Sequence, residues 1–406
     1  MSTSLLYHAF GATTYDYQKT EYHGGKIHFH LRKKPCYRHC VACKSRNYTF
    51  EGHKPYSLHT VPIGSKPVFL VLHLHVLACK DCGAVLQESR DVALPLKRYT
   101  RAFARYVVCL SREMTISAIA AHLKVGWDLI KSIIKEDLRK RARRRSWRKV
   151  RHIGIDEIAI RKGHDYMTVV MDLDSGHVLY TAPGKDHTAL QPFFRRLRRS
   201  GARLSAIAVD MSAAYLKAIE LYAPPGVAVV HDHYHLVANM NEVITKVRRD
   251  EQNRMEDKLG QKLIKGTRYL LLHAREKLEQ QPEKQARLDA LLNINQTLHA
   301  VYLLKEELRQ FWRLPTKKEA KAFVKNWIAE ATSIGNKHLT SFAGTVKKNM
   351  KAILAWYDHP ITTGPLEGVN NKIKVLKRMA YGYRDQEFFG LRVLFIRDSS
   401  VKLLGA

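Results

Sequence analysis

Apolar residues recur along this chain with two periods, and the switches between them divide it. From Tyr56 to Leu77 the run is strand-like on both sides of Gly64-Ser65-Lys66-Pro67. That predicts strands Tyr56 to Ile63 and Val68 to Leu77 joined by a turn. Between Thr115 and Lys135 the spacing becomes three-to-four: Ile116, Ile119, Ala120 and Leu123, then Leu129, Ile130, Ile133 and Ile134 beyond Val125-Gly126. Helix, glycine turn, helix is the proportion of a helix-turn-helix. Residues 151–160, RHIGIDEIAI, read as a buried strand with Asp156 and Glu157 set inside it. A hairpin turned at Asp174-Ser175-Gly176 follows, then a helix from His187 to Arg199. Next come a strand ending at Asp210, a helix from Ala213 to Tyr222, and a strand, VAVVHDHYH, ending around Asp232. Helical spacing then dominates. Leu288, Leu291, Leu292, Asn295, Leu298 and Tyr302 share a face, and Thr316 with Glu319 forms a capping-box pair.

These switches give six segments of the chain: 1–35, with no assigned role; 36–95, strands and cysteines; 96–150, helical and basic; 151–236, mixed; 237–355, all-helical; and 356–406. Charge then narrows the partner. Lys and Arg number 69 against 37 acidic residues, a net +32, and such self-repulsion points to a polyanion, with nucleic acid first. The run Arg139 to Arg151 is basic at nine of thirteen positions and is expected to grip phosphates without reading sequence. No stretch of 18 apolar residues is present, and the N-terminus lacks a basic region followed by an apolar run. The expectation is a cytoplasmic protein, nucleoid-associated when bound to DNA, with no membrane partner.

Four of the six cysteines form two C-x-x-C pairs, Cys40/Cys43 and Cys79/Cys82. In a reducing compartment such pairs point to a structural Zn²⁺ rather than disulfides, and two knuckles bracketing strands are the layout of a zinc ribbon. Cys36 stands as an alternative to Cys40, or as a free thiol; Cys109, among Val107, Val108 and Leu110, reads as a core thiol; His73 and His75 read as strand residues.

Charged groups inside a buried strand are costly unless paired or metal-bound. Asp156 is such a group, and Asp210 ends a second apolar strand. The order of three antiparallel strands, helix, strand, helix, strand is that of an RNase H-like domain, in which the first and fourth strands are neighbours. Asp156 and Asp210 would then sit side by side and could hold divalent cations through oxygen ligands. The competing account is that each caps the helix that follows. Asp232 has the same two readings. His231, His233 and His235 alternate as if on one strand face, and His235 is a further candidate beside the carboxylates.

The closing segment holds GPLEGVNNKIKVLKRMAYGYRD at 364–385, a helix opening with Pro365 at its start and Glu367 in its first turn, followed by Asn370, Asn371 and Lys374 on one face. With GIDE at 154–157, VDMSAAY at 209–215, HDHYH at 231–235, the cysteine pairs and the helix-turn-helix, this motif resembles the bacterial insertion-sequence transposases of the ISL3 group, within the DDE transposases. The resemblance covers nearly all of the chain after residue 35. It implies a multidomain α+β protein: an N-terminal zinc ribbon (36–95), a helix-turn-helix domain with a basic linker (96–150), and an RNase H-like domain with a mixed five-stranded sheet (151–236 and 356–406) interrupted by a helical insertion (237–355). It implies a catalytic triad of Asp156, Asp210 and Glu367 holding two Mg²⁺ or Mn²⁺ ions. The reaction it implies is strand cleavage at terminal inverted repeats and strand transfer into target DNA, by a homodimer on DNA. Lys131, Lys135, Arg139, Lys140, Arg141, Arg143, Arg144 and Arg145, with Asn371, Lys374, Lys377 and Arg378, are the expected DNA contacts. The alternatives are a DNA-binding regulator that does not cut, or an RNase H-like nuclease acting on RNA.

Overall fold

A computed structural model of the protein describes residues 3–160, 165–256, 261–262 and 264–398. The chain forms two compact units, one of Met1–Arg144 with Leu376–Ala406 and the other of Arg145–Val375.

The first unit is built on a sheet ordered β1-β2-β4-β3, where β1 is Tyr15–His23, β2 Lys26–Lys33, β3 Tyr48–Ile63 and β4 Lys66–Cys79. The hairpin β3–β4 turns at Gly64-Ser65 as expected, but its strands run well beyond the expected bounds. Where β2 ends, β5 (Val85–Gln87) takes over the same edge of β4. The described part of residues 1–35, to which the sequence assigns no role, supplies β1, β2 and helix α1 (Thr3–Phe10). Leu6 and Phe10 of α1 pack with Phe29, Leu31, Leu58, Leu70 and Leu72 to close this core.

Three helices follow: α2 (Arg101–Leu110), α3 (Ile116–Leu123) and α4 (Trp127–Arg144). Thr115 caps α3 by accepting the Ala118 N–H, and Lys124 closes it with φ 53°. The expected apolar faces meet: Ile119, Leu123, Ile130, Ile133 and Ile134 share a core with Phe103 and Val107, while Cys109 is exposed and not a core thiol. Phe388, Leu391 and Phe395 join that core, so the chain beyond Leu376 groups here, whereas the sequence placed all of 356–406 with the sheet that bears Asp156. Residues 399–406 of that segment lie outside the described residues.

The second unit holds a mixed five-stranded sheet ordered β10-β9-β6-β7-β8. Here β6 is His152–Ala159, β7 Tyr166–Asp172, β8 Val178–Pro183, β9 Ala206–Val209 and β10 Ala228–His231. β6 pairs in parallel with β9, and β9 with β10, while β7 and β8 run antiparallel. One face carries α5 (Gln191–Arg199) and α6 (Ala213–Tyr222): Ile153, Ile155, Ile207 and Val209 pack on Phe193, Phe194, Leu197 and Tyr215.

The helical segment runs α7 (His233–Arg254), α8 (Arg268–Leu272), α9 (Arg275–Leu278), α10 (Pro282–Ile294), α11 (Gln296–Gln310), α12 (Lys317–Ser333) and α13 (Lys337–Leu354), around a core centred on Trp327, Leu304 and Val324. The apolar face read through Asn295 is not one helix. Asn295 accepts the Leu298 N–H at 2.8 Å and donates to Glu251 at 3.0 Å, starting α11 afresh. Thr316 caps α12 through the Glu319 N–H at 3.2 Å, as the capping box predicts.

Candidate active site and metal centre

Asp156 and Asp210 follow the paired residues Ile155 and Val209 on neighbouring parallel strands, so the register brings the two carboxylates together. Asp156 is held at both oxygens: Oδ1 accepts the Glu157 N–H and Oδ2 accepts the Asn370 amide, each at 2.8 Å. Asp210 accepts the Ser212 N–H at 2.9 Å. Burial pushes the Asp156 carboxyl above the ordinary range, and the Asp210 charge adds to this, against the pull of the Glu157 N–H, His235 and Asn370.

Asn370 lies on α14 (Gly364–Met379), which carries Glu367 in its first turn, exposed, three residues earlier. Leu366, fully buried, fixes the start of that helix on β6: a Cβ on Gly154 would stand 2.6 Å from its Cδ1. Gly154→Ala is therefore expected to destabilise the protein by about 1–3 kcal/mol through overpacking. Denaturant melts check this; an unchanged midpoint would show that Leu366 gives way freely. Among the described residues the three carboxylates are not gathered as tightly as the cysteine thiols below.

Glu157 is a functional candidate that the sequence reading passed over. It shares the face of Ile155, and burial pushes its carboxyl up, followed by the charges of Asp210 and Asp156. Its Oε2 is buried, and a side-chain hydrogen bond with Tyr215 opposes the rise. The signal was available: period two puts Asp156 and Glu157 on opposite faces of β6, so no single face explains both acids. Asp156 and Asp210, side by side on β6 and after β9, suit a hard divalent cation with oxygen ligands.

The strand ends around Asp232 as expected, at His231, and Asp232 caps α7 by accepting the Tyr234 N–H. His233 and His235 are thus helical, and the alternating histidine face does not form. His231 ends β10, buried, its ring nitrogens against the Val209 carbonyl and Asn349 Oδ1. Asp232 also accepts the Thr363 hydroxyl, tying α7 to the residue before α14.

The four cysteines come together at the open end of the β3–β4 hairpin. Their sulfurs all lie within 4.8 Å, with Cys40–Cys82 at 3.7 Å and Cys43–Cys79 at 3.5 Å. These distances exclude disulfides and approach the edge of about 3.8 Å that a tetrahedron with 2.3 Å Zn–S bonds requires. Backbone N–H groups of Cys43 and Ala42 bring the Cys40 thiol down to about 7. Against the Ser45 N–H, the thiols of Cys82 and Cys79 push Cys43 up to about 12. The set is compatible with structural zinc. Cys36 is exposed and outside it.

Several expected DNA contacts are engaged elsewhere. Lys131, Lys135 and Arg139 of α4 bind Asp385 and Glu387, which open α15 (Gln386–Leu394), at 3.0, 2.8 and 2.5 Å. Burial pushes Asp385 up, yet Lys135, the Phe388 N–H and Lys131 hold it well below the carboxylate range; Arg139 and then Lys135 bring Glu387 to about 2. Lys140 pairs with Glu136 at 2.9 Å, and Arg141 stacks on Phe395. In the second unit, Arg145 donates to the Val178 carbonyl. Arg143, Arg144, Asn371, Lys374 and Arg378 are exposed, and Lys377 is half-buried. Arg143→Gln with Arg144→Gln is expected to reduce the slope of log affinity against log salt by about 2. Titrations on duplex DNA at several salt concentrations measure it; an unaltered slope would remove these residues from the interface.

No helix among the described residues is long and apolar enough to cross a membrane. A family model described as a transposase matches residues 153–393, and the helix-turn-helix domain of transposase family ISL3 matches residues 95–137. The transposase for insertion sequence element IS1001 of Bordetella parapertussis is 35% identical over 357 residues, covering 87% of each chain. The transposase for insertion sequence element IS1557 of Mycobacterium tuberculosis is 28% identical over 354 residues, covering 80% of this chain and 77% of its own. Among solved structures, the Drosophila P element transposase strand transfer complex covers 74% of this chain and 92% of its own at 10% identity and TM-score 0.36. On the family model and the identity to the IS1001 protein, this chain belongs to the ISL3 family of DDE insertion-sequence transposases.

Proposed function

We propose that the protein cuts and joins DNA at the ends of its insertion sequence, with Asp156, Asp210 and Glu367 as the catalytic carboxylates on an RNase H-like sheet. The observation that carries this is the position of Asp156 and Asp210 side by side where the parallel pairing of β6 with β9 ends, with Asn370 of the Glu367 helix bonded to Asp156. Asp156, Asp210 and Glu367 would hold two Mg²⁺ or Mn²⁺ ions. Such ions, when bound, acidify water and offset charge at a phosphodiester. The chain's own work is positioning. Asn370 and the Glu157 N–H fix both oxygens of Asp156, the Ser212 N–H orients Asp210, and the Gly154–Leu366 contact sets the start of the Glu367 helix. His235 sits beside Asp156, and its charge would favour the ionised acid. Asp232 is a scaffold residue that joins α7 to Thr363.

The domain assignment supported best is a zinc ribbon over 36–95 extended by β1 and β2, a helix-turn-helix over 96–150, and catalytic residues 151–236 and 356–375 flanking the helical segment. The helix-turn-helix would hold the terminal inverted repeats, Arg143 and Arg144 the phosphates, and a homodimer would join two ends. The test is incubation with DNA carrying the element's ends and Mg²⁺ or Mn²⁺. Strand cleavage at the ends is expected; binding without cleavage in either metal would assign the chain to a regulator instead.

A further inference from the structure

Two of the motifs that supply the proposed catalytic carboxylates also hold a polar side chain with no part in the reaction so far: Glu157 of GIDE and Tyr215 of VDMSAAY. They meet on the face of the sheet that packs on α6. Tyr215 is the third residue of α6 and is fully buried. Its hydroxyl lies 3.1 Å from that of Thr168, which stands opposite Glu157 in the β6–β7 pairing. Thr168 donates its one hydroxyl proton to the Gly184 carbonyl at 2.8 Å, so its oxygen accepts from Tyr215. Tyr215 also shares a side-chain hydrogen bond with Glu157. Burial pushes the phenol well above its ordinary value, so it stays protonated and able to donate.

A hydroxyl buried this deep is costly unless bonded, and a phenylalanine would fill the same space without that requirement. What the hydroxyl adds is a fixed position. It ties the first turn of α6 to β7 and, through Glu157, to the strand that carries Asp156. That turn is capped at Ser212, whose N–H orients Asp210. Asp156 points to the other face of β6, so the tie acts from behind the carboxylates without touching an ion. We infer that the Tyr215–Thr168 hydrogen bond is a positioning element of the proposed active site, holding the Asp210 end of α6 against the strand of Asp156 so that both carboxylates serve the same divalent ion. The inference rests on the proposed function, because it takes Asp156 and Asp210 as the metal-holding pair.

The test compares Tyr215→Phe, Thr168→Val and Thr168→Ser in the full-length protein. Two quantities are read: the Mn²⁺ concentration that gives half of the maximal Tm increase without DNA, and the rate of end cleavage well below Tm. Tyr215→Phe keeps the ring and Thr168→Val keeps the shape. Each should raise that concentration and lower cleavage by about tenfold, with duplex DNA binding unchanged. The two together should do no more than the worse of them alone, since both break one bond. Thr168→Ser keeps the hydroxyl and should stay near the parent in both quantities. A lowered Tm with unaltered Mn²⁺ response and cleavage would overturn the inference and leave the transposase reading intact. Equal losses in Thr168→Ser and Thr168→Val would also overturn it, since packing rather than the hydroxyl would be at fault. If Tyr215→Phe fails to fold, that serine–valine comparison decides alone. A parent protein that binds DNA but neither cleaves it nor gains Tm from Mn²⁺ would overturn both.

Discussion

Asp156→Asn and Asp210→Asn are each expected to lower strand cleavage by about a thousandfold or more, while DNA binding persists. Each exchange keeps the side-chain volume but removes a charged oxygen ligand. Asn370 separates placement from ligation. Asn370→Ala frees Asp156 Oδ2 without touching the charge, so it should cost about 10–100-fold, as losses of ligand-orienting partners do. Stability gives an independent readout. The folded carboxyl of Asp156 is raised above its unfolded value, so the folded state binds the extra proton. Stability without divalent metal should therefore fall as pH rises from the ordinary carboxylate range through the raised value. At neutral pH, Asp156→Asn should melt at or above the parent protein in metal-free buffer. It should also lose most of the Tm increase that Mn²⁺ gives the parent. Cleavage that survives either Asp exchange would sink the active-site assignment.

The Asp156–Asp210 pairing was legible because period-two strands and three-to-four helices alternate cleanly from residue 151 to 222, and sheet order then follows from connection rules. Glu157 was not, because of the two acids in β6 the strand pattern gives a role only to Asp156. The histidines of HDHYH misled for a related reason. Alternation over five residues cannot distinguish a strand from a strand that ends at a capping Asp, and Asp232 is that cap. Strand β1, YDYQKTEYH, is exposed at six of its nine positions and does not alternate cleanly; its pairing with β2 is what makes it a strand. The α4 cations looked free because their partners, Asp385 and Glu387, lie about 250 residues away in sequence. Local reading cannot see such ion pairs.

Removing zinc is expected to be the most damaging change in the N-terminal sheet, yet a local one. Structural zinc sites contribute about 10–16 kcal/mol, as much as an entire domain's stability. Here the site clamps one end of the hairpin: the register Tyr48 opposite Cys79 is its last pair before the knuckles. The other end has its own support, since Leu58, Val68, Leu70 and Leu72 are fully buried with α1 and β2. Chelation or Cys43→Ser should therefore expose residues 36–50 and 79–87 to proteolysis and rapid amide exchange. The core around Leu70 should stay protected, because its apolar contacts do not involve the sulfurs. Metal analysis of natively purified protein should give about one zinc per chain. Cys36→Ser provides the decisive contrast. Cys36 is exposed and outside the four-sulfur cluster, so its loss should leave zinc content and protease resistance unchanged. Zinc near zero in the parent would remove the metal centre. Equal damage from Cys36→Ser and Cys43→Ser would mean that a different set of thiols holds it.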